Sequence, residues 1–285
     1  MVDWSAAASP NTGKDSIWWA LLRRKGNRLR LTRRRNPGTR HAATNELADK
    51  LTELAAEGDR VLVGFDFPFG YPDGTAERLG MSGLPWRHIW QEIADLIDDA
   101  PDNKNNRIDV AEDLNERLSG EAFPFWGNVR EETRTFLVRR GRRPHGGGDL
   151  AEWRLCDIRA RTTSSVWQLA GAGSVGSQVL TGIPRVLQLR TDPRLAMISH
   201  IWPFETGLCH DPRPQIVFAE VYPSLVEPEP ERNIVKDARQ VRTIAKHFAA
   251  LDATGDLGAL FEGDPALTQA ERTIVETEEA WILGA

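Results

Sequence analysis

The stretch RVLVGFDFPFG, residues 60–70, is a nearly continuous apolar run that ends at proline and glycine. Such a run is typical of a β-strand that is buried on both faces of a sheet. It carries one acidic residue, Asp66, between Phe65 and Phe67. An ionised carboxylate among aromatic side chains needs a partner, so Asp66 is a candidate functional residue.

The segments on either side of this strand have the hydrophobic patterns of an α/β protein. Before it, the chain has three strand patterns and then a helix pattern that ends at Gly58; long after it, another buried strand is followed by two helices. The predicted elements are strands at residues 1–6, 15–24, 27–34, 60–70 and 214–223 and helices at 41–58, 236–251 and 268–285.

Residues 71–214 have a looser pattern. Two helix patterns, PWRHIWQEIADLIDDA and IDVAEDLNERLS, are separated by stretches rich in glycine, proline and arginine. We interpret this region as an inserted, mainly helical and loop-rich subdomain between core segments 1–70 and 215–285. The predicted fold is α/β, with a mixed five-stranded sheet flanked by helices and a large insertion between strands 4 and 5.

Composition restricts the class of protein. The chain has 285 residues, 40% of them hydrophobic, and a net charge of −5, so it can bury its own core and is not a general nucleic-acid coat protein. Its two cysteines lack the spacing of a zinc site or a disulfide framework. Neither a signal peptide nor a membrane span is predicted, and we expect a cytoplasmic protein. The sequence leaves its oligomeric state open.

Acidic residues stand where predicted strands end. Asp3, Asp66 and Glu220 each lie at the transition from apolar strand to turn, and ligands tend to bind at such strand ends. Glu276 and Glu279 are three residues apart on the last helix and would share a face, with Glu278 pointing away. Carboxylates gathered in this way favour Mg²⁺ or Mn²⁺. Alternatively, each carboxylate caps a neighbouring helix or turn.

The chain also resembles a known family. The strand and helix order, the early Asp, FDFPFGYP after the fourth strand, EVYP in the fifth and the late acidic helix resemble the DUF429 group of predicted nucleases, which has a ribonuclease H-like fold. The resemblance covers about residues 1–70 and 215–285. It implies that one or two divalent metal ions are bound and that phosphodiesters are cleaved. The implied catalytic and metal ligands are Asp3, Asp66, Glu220 and Glu279 or Glu276.

Two features depart from the family pattern. Ribonuclease H takes a glutamate from its first helix, where this chain offers Glu46 or Glu53, and its last-helix ligand is commonly Asp rather than Glu. Proteins of this type also carry a link to molybdopterin dinucleotide metabolism, which no residue here explains.

Several segments could bind a phosphate. Nine Arg and Lys residues lie between Arg23 and Arg40, and RRGRRPH (139–145) adds a second cluster; either could follow a nucleic-acid backbone or simply be a solvated surface. Lys236, before a predicted helix, could stabilise phosphate charge or be solvated.

The stretch GAGSVG (171–176) matches a dinucleotide motif, with Asp192 at suitable spacing. SSVWQLA before it is a poor strand, however, and Pro184 interrupts the helix that should follow. A loop in which Ser174 and Gln178 bind a phosphate is a better interpretation, and plain loop geometry is the simplest one.

Two functional hypotheses result. The first is a divalent-metal-dependent phosphodiester hydrolase, a predicted nuclease with a carboxylate cluster at the sheet edge and nucleic acid or a nucleotide as its partner. The second is a non-catalytic protein that binds a nucleotide, a pterin-type cofactor or a partner.

Overall fold

The structure is a computed structural model that describes residues 1–25, 28–130, 132–161, 164–227 and 234–285. The strands are β1 Val2–Asp3, β2 Trp18–Lys25, β3 Arg28–Arg35, β4 Val61–Phe65, β5 Ser199–Ile201 and β6 Ile216–Glu220. The α-helices are α1 Arg40–Ala56, α2 Thr75–Arg78, α3 Pro85–Leu96, α4 Arg107–Ser119, α5 Leu155–Ala160, α6 Gly176–Thr191, α7 Lys236–Thr254 and α8 Gln269–Ile274. Short 3-10 helices at Pro223–Leu225 and Asp256–Glu262 and a π-helix at Val275–Glu279 complete the described elements.

The six strands form one mixed sheet in the order β3-β2-β1-β4-β6-β5. β1, β4, β6 and β5 run parallel to their neighbours in that series, whereas β2 is antiparallel to both β1 and β3. The carboxyl ends of β1, β4 and β6 therefore meet at one edge. The α/β class with a mixed sheet is confirmed, but the predicted number of strands is wrong. The additional strand, β5, has three residues, too few to give a periodic pattern.

Side chains alternate between two hydrophobic cores, one on each face of the sheet. Val2, Trp19 and Phe65 belong to the larger core, which also contains buried residues of α1, α3 and α6. Val217 and Phe248 belong to the second core, on the face that α7 and the C-terminal segment cover. The alternation follows from the two-residue period of a strand, and it decides which strand-end residues can meet.

Helix α1 confirms the predicted first helix. The Thr39 side chain accepts a hydrogen bond from the Ala42 N–H at its start, and Leu47, Leu51 and Leu54 are buried at helical spacing. Gly58, the predicted stop, has φ +82° just after the helix, a conformation in which glycine avoids steric strain.

Helix α6 runs through Pro184, so the predicted interruption is wrong. The helix buries Val179 and Ile183 completely, and at Gly182 it lies so close to the Phe67 ring that any Cβ would overlap the ring. Proline removes one backbone hydrogen bond. Tertiary packing of this buried face supplies the stability that helix propensity lacks.

The last predicted helix is shorter than expected. α8 ends at Ile274, the π-helix follows, and the chain leaves helical geometry at Ala280 with φ +62°. Trp281 is fully buried and Ile282 bridges to Glu220 at the end of β6, so burial of this end is confirmed. Within the described ranges, no helix combines the length and apolar character needed to cross a membrane.

Candidate functional site

Asp3 and Asp66 lie side by side at the carboxyl ends of β1 and β4. Val2 pairs with Phe65 in the parallel ladder, so Asp3 and Asp66 are the next residues of their chains and share a face of the sheet. The Trp4 N–H donates a 2.7 Å hydrogen bond to Asp66 Oδ1, which holds this carboxylate against β1. The structure thus brings together two of the residues that the sequence predicts.

A third carboxylate, Asp237, joins them from the first turn of α7. Its charge raises the pKa of both Asp3 and Asp66, and its Oδ2 accepts a 2.7 Å hydrogen bond from the Asp15 N–H. Asp237 is buried. We call Asp3, Asp66 and Asp237 the acidic centre. Sequence analysis missed Asp237, because an acidic residue in the first turn of a helix ordinarily favours the helix dipole.

Burial and mutual repulsion both act on the acidic centre. Burial is the largest cause that raises the pKa of Asp3, and the charges of Asp66, Asp237 and Asp15 add to it. Burial also raises the pKa of Asp66, against the effect of the hydrogen bond from Trp4. In the described part of the chain, no Lys or Arg side chain forms an ion pair with a member of the centre. Among the described residues, the ionised carboxylates therefore have no ion-pair partner that would neutralise them.

Lys236 supplies a positive charge near the acidic centre. It is exposed at the start of α7, next to Asp237 in the chain, and its charge lowers the pKa of Asp3 against the larger opposing effects. The lysine is therefore within electrostatic reach of the acidic centre, where the sequence predicted a substrate-binding residue.

Glu220 lies outside the acidic centre, contrary to the predicted cluster. In the parallel pair β4 and β6 it stands opposite Phe65 rather than Asp66, so its side chain points to the other face of the sheet. There it is buried and accepts a 2.9 Å hydrogen bond from the Phe69 N–H. A one-residue difference in register thus separates Glu220 from Asp66.

The Glu220 carboxylate forms an ion pair with Arg154. The two terminal nitrogens of Arg154 donate to the two Glu220 oxygens at 2.7 Å each, and the same guanidinium binds Asp157 at 3.0 Å. It also donates to the Glu279 carbonyl oxygen at 3.0 Å. Arg154 is completely buried. We call Arg154, Asp157, Glu220 and Glu279 the buried arginine cluster; it joins α5, β6 and the C-terminal segment.

The late glutamates also bind backbone instead of the acidic centre. Glu279 accepts hydrogen bonds from the Leu155 and Asp73 N–H groups at 2.6 and 3.0 Å, and burial raises its pKa to about 7. Glu276 accepts a 2.7 Å bond from the Leu208 N–H. Glu278 was expected to point away, but it is buried and accepts hydrogen bonds from the Gly74 and Ala76 N–H groups at the start of α2.

The predicted five-carboxylate metal site is therefore divided. Among the residues that the structure describes, no group of three or more His, Cys, Asp or Glu side chains is arranged to hold a metal ion. Two carboxylates, Asp3 and Asp66, remain adjacent at the strand ends. The first-helix candidates lie elsewhere, since Glu46 pairs with Arg35 and Glu53 with Lys50.

The glycine-rich loop before α6 lacks the context of a dinucleotide site. In the described chain only an isolated bridge, Trp126 to Gln168, lies in the segment before it, and Asp192 is bound by Arg194. Ser174 and Gln178 are half-buried, and the Ser174 N–H donates to the Gly171 carbonyl as part of a turn. These contacts are those of ordinary loop geometry.

The first arginine-rich segment divides into paired and unpaired side chains. Arg23, Arg24 and Arg35 bind carboxylates, and Arg40 is buried against Asp99, so these four are structural. The side chains of Lys25 and Arg28 lie outside the described part. The exposed arginines of β3 that form no ion pair with a described residue are Arg30, Arg33 and Arg34.

In the second arginine cluster, at residues 139–145, two of the four arginines form ion pairs with described residues. Arg142 pairs with Glu152, and Arg143 binds Glu121 and Asp149. A cavity of about 460 Å³ lies at the opposite end of the sheet from the acidic centre, beside the starts of β4 and β6. Neither feature adds a chemical group to the acidic centre.

Comparison of the chain with protein-family models, with curated proteins and with solved structures found no match.

Proposed function

We propose that this protein is a divalent-metal-dependent phosphodiester hydrolase in which Asp3 and Asp66 hold the ion. The observation that carries the proposal is the juxtaposition of these two half-buried carboxylates at neighbouring strand ends, with Asp237 beside them. Two like charges in a partly desolvated site repel each other. A divalent cation would neutralise both, whereas the described protein offers them no ion-pair partner.

The donor set fits magnesium or manganese. Both ions prefer oxygen ligands, and Mg²⁺ is commonly held by one or two carboxylates, with water and substrate phosphate oxygens completing its octahedral shell. Asp3 and Asp66 supply the carboxylates. A second protein-bound ion finds no support, because Glu220 is bound by Arg154.

The chain's own residues have distinct tasks in this proposal. The Trp4 N–H fixes the Asp66 carboxylate, and Asp237 anchors the loop before β2 through the Asp15 N–H. Lys236 lies where its positive charge can attract a substrate phosphate. When bound, the ion would supply activation of water and stabilisation of the leaving oxygen.

The fold supports the same proposal. The order β3-β2-β1-β4-β6, with an antiparallel hairpin followed by parallel strands and with acids at the ends of β1 and β4, is the arrangement expected for a ribonuclease H-like sheet. β5 would extend that sheet at its far edge.

The test combines calorimetric titration with Mn²⁺ and Mg²⁺ and cleavage assays on single-stranded, duplex and hybrid nucleic acids. Asp66→Asn should abolish metal binding and cleavage. Glu276→Gln is the matched control: it changes another predicted ligand, outside the acidic centre, and should leave both intact. A folded wild-type protein that binds neither ion would refute the hydrolase and favour the non-catalytic binding protein.

A further inference from the structure

Trp18 lies directly beside the acidic centre. In the antiparallel pair β1 and β2 it stands opposite Asp3, and residues opposite each other share a face with Cβ atoms about 5 Å apart. The face is the one that α7 covers, because Arg24, on the same side of β2 as Trp18, binds Asp252 of α7. An indole ring and a catalytic carboxylate thus flank each other.

The Trp18 ring is held in place but not enclosed. Its Nε1–H donates a 2.8 Å hydrogen bond to the Gly13 carbonyl, which fixes the edge of the ring, and the side chain is half-buried. The exposed Arg34 places its guanidinium 5.8 Å from the ring centroid, within range for a cation–π contact.

β3 is the outermost strand on this side, and its exposed Arg34, opposite Ala20, is on the same face as Trp18. Arg30 and Arg33 stand opposite Arg23 and Leu21 and so lie on the other face of this edge strand. None of the three arginines forms an ion pair in the described chain. A fixed aromatic ring beside a cationic edge is the combination with which proteins bind single-stranded nucleic acids, since bases stack on the ring while arginines follow the phosphates.

We propose that Trp18 and Arg34 form a stacking subsite for an unpaired nucleobase of a single strand bound at the acidic centre. The inference rests on the proposed function for the reaction, because it names single-stranded nucleic acid as the substrate of the acidic centre. Binding of a single strand at the subsite can be tested without any cleavage reaction.

The experiment measures fluorescence anisotropy of a labelled short single strand with the full-length Asp66→Asn protein in EDTA, so that cleavage does not interfere. Adding Trp18→Ala should weaken binding about 5- to 150-fold, the range of one lost stacking contact, whereas Trp18→Phe should retain most of the affinity. Trp126 is the matched control, because Arg142 likewise lies 5.6 Å from its ring but Trp126 bridges to Gln168 outside the sheet; Trp126→Ala should leave affinity unchanged.

A second measurement avoids dependence on how the variants fold. The protein with an intact Trp18 should bind an abasic strand of equal length more weakly than the normal strand, and Trp18→Ala should remove this difference. An equal loss on both strands would overturn the stacking subsite. Duplex binding as tight as single-strand binding, or a mononucleotide that competes as well as the strand, would overturn the choice of single-stranded substrate.

The two proposals can fail separately. Base-dependent binding without metal binding or cleavage would refute the hydrolase and leave the subsite standing. Metal-dependent cleavage with no effect of Trp18→Ala on affinity would refute the stacking subsite and leave the hydrolase standing.

Discussion

Arg154 donates one 2.7 Å hydrogen bond to each carboxylate oxygen of Glu220, with both side chains buried. Because both of its oxygens bind Arg154, Glu220 is not available as the metal ligand that the sequence predicts, and its role is structural. Asp157 shares the same guanidinium. The buried arginine cluster thus joins the end of β6 to α5, while the acidic centre lies on the opposite face of the sheet.

Replacing Arg154 with methionine should strongly destabilise the protein. Glu220 would remain buried without this cation, and loss of one partner of a buried ion pair costs about 3–5 kcal/mol. Urea unfolding of Arg154→Met and wild type would measure this difference. Arg143→Met is the control, because Arg143 pairs with Asp149 at the surface and should cost no more than about 1 kcal/mol. A similar small loss for both variants would contradict the assignment.

Glu279 should make stability depend on pH. Burial raises its pKa from 4.5 to about 7, so the folded state holds a proton that the unfolded state releases. Stability attributable to this group is therefore greatest below about pH 4.5, falls as pH rises towards 7 and changes no further above that.

The measurement is a series of thermal unfolding curves across this pH range for wild type and Glu279→Gln. The groups that face Glu279 are the Leu155 and Asp73 N–H groups, Arg154 and Asp157; the variant retains all of them. Its stability should decline less steeply between pH 4.5 and 7 than that of wild type. Parallel curves for the two proteins would disprove the role of Glu279.

Much of the sheet and two of the three carboxylates of the acidic centre were predictable from local patterns. The apolar run before Asp66 defines its strand, and the position of Asp3 and Asp66 at strand ends predicts their approach. The pairing register between strands was not predictable in this way. The two-residue period fixes the face on which Glu220 lies only once its partner residue in the neighbouring strand is known. Here that partner is Phe65.

Contacts between distant segments account for the remaining differences. Nothing near Glu220 in the chain identifies Arg154 as its partner, 66 residues away. The π-helix at Val275–Glu279 changes the helical phase, so both Glu278 and Glu279 are buried where the ordinary spacing predicts that Glu278 points away.

Gly70 should not tolerate alanine. A Cβ at this position would overlap the backbone carbonyl oxygen of Glu278, and backbone cannot move aside as a flexible side chain can. We expect a loss of at least about 2 kcal/mol of unfolding free energy, within the range for overpacking. Gly147→Ala is the control, since nothing lies within 4 Å of its Cβ position, and it should change stability by less than about 0.5 kcal/mol. Equal stability of the two variants in urea would contradict the close approach.

Asp237 should strengthen metal binding without being one of the two adjacent strand-end carboxylates. Its negative charge acts on both Asp3 and Asp66, and it holds the loop before β2 through the Asp15 N–H. Loss of a supporting group of this kind typically lowers metal affinity about 10- to 100-fold. Asp237→Asn should therefore bind Mn²⁺ more weakly than wild type by this factor, yet still bind it.

Asp252→Asn is the matched control for this titration. Asp252 lies on the same helix, about 22 Å further along at 1.5 Å per residue, and its contact is an exposed ion pair with Arg24. The control should bind Mn²⁺ like wild type, because a charge at that distance is screened by salt. Complete loss of binding in Asp237→Asn would make Asp237 a ligand in its own right, whereas unchanged binding would show that its charge does not support the ion.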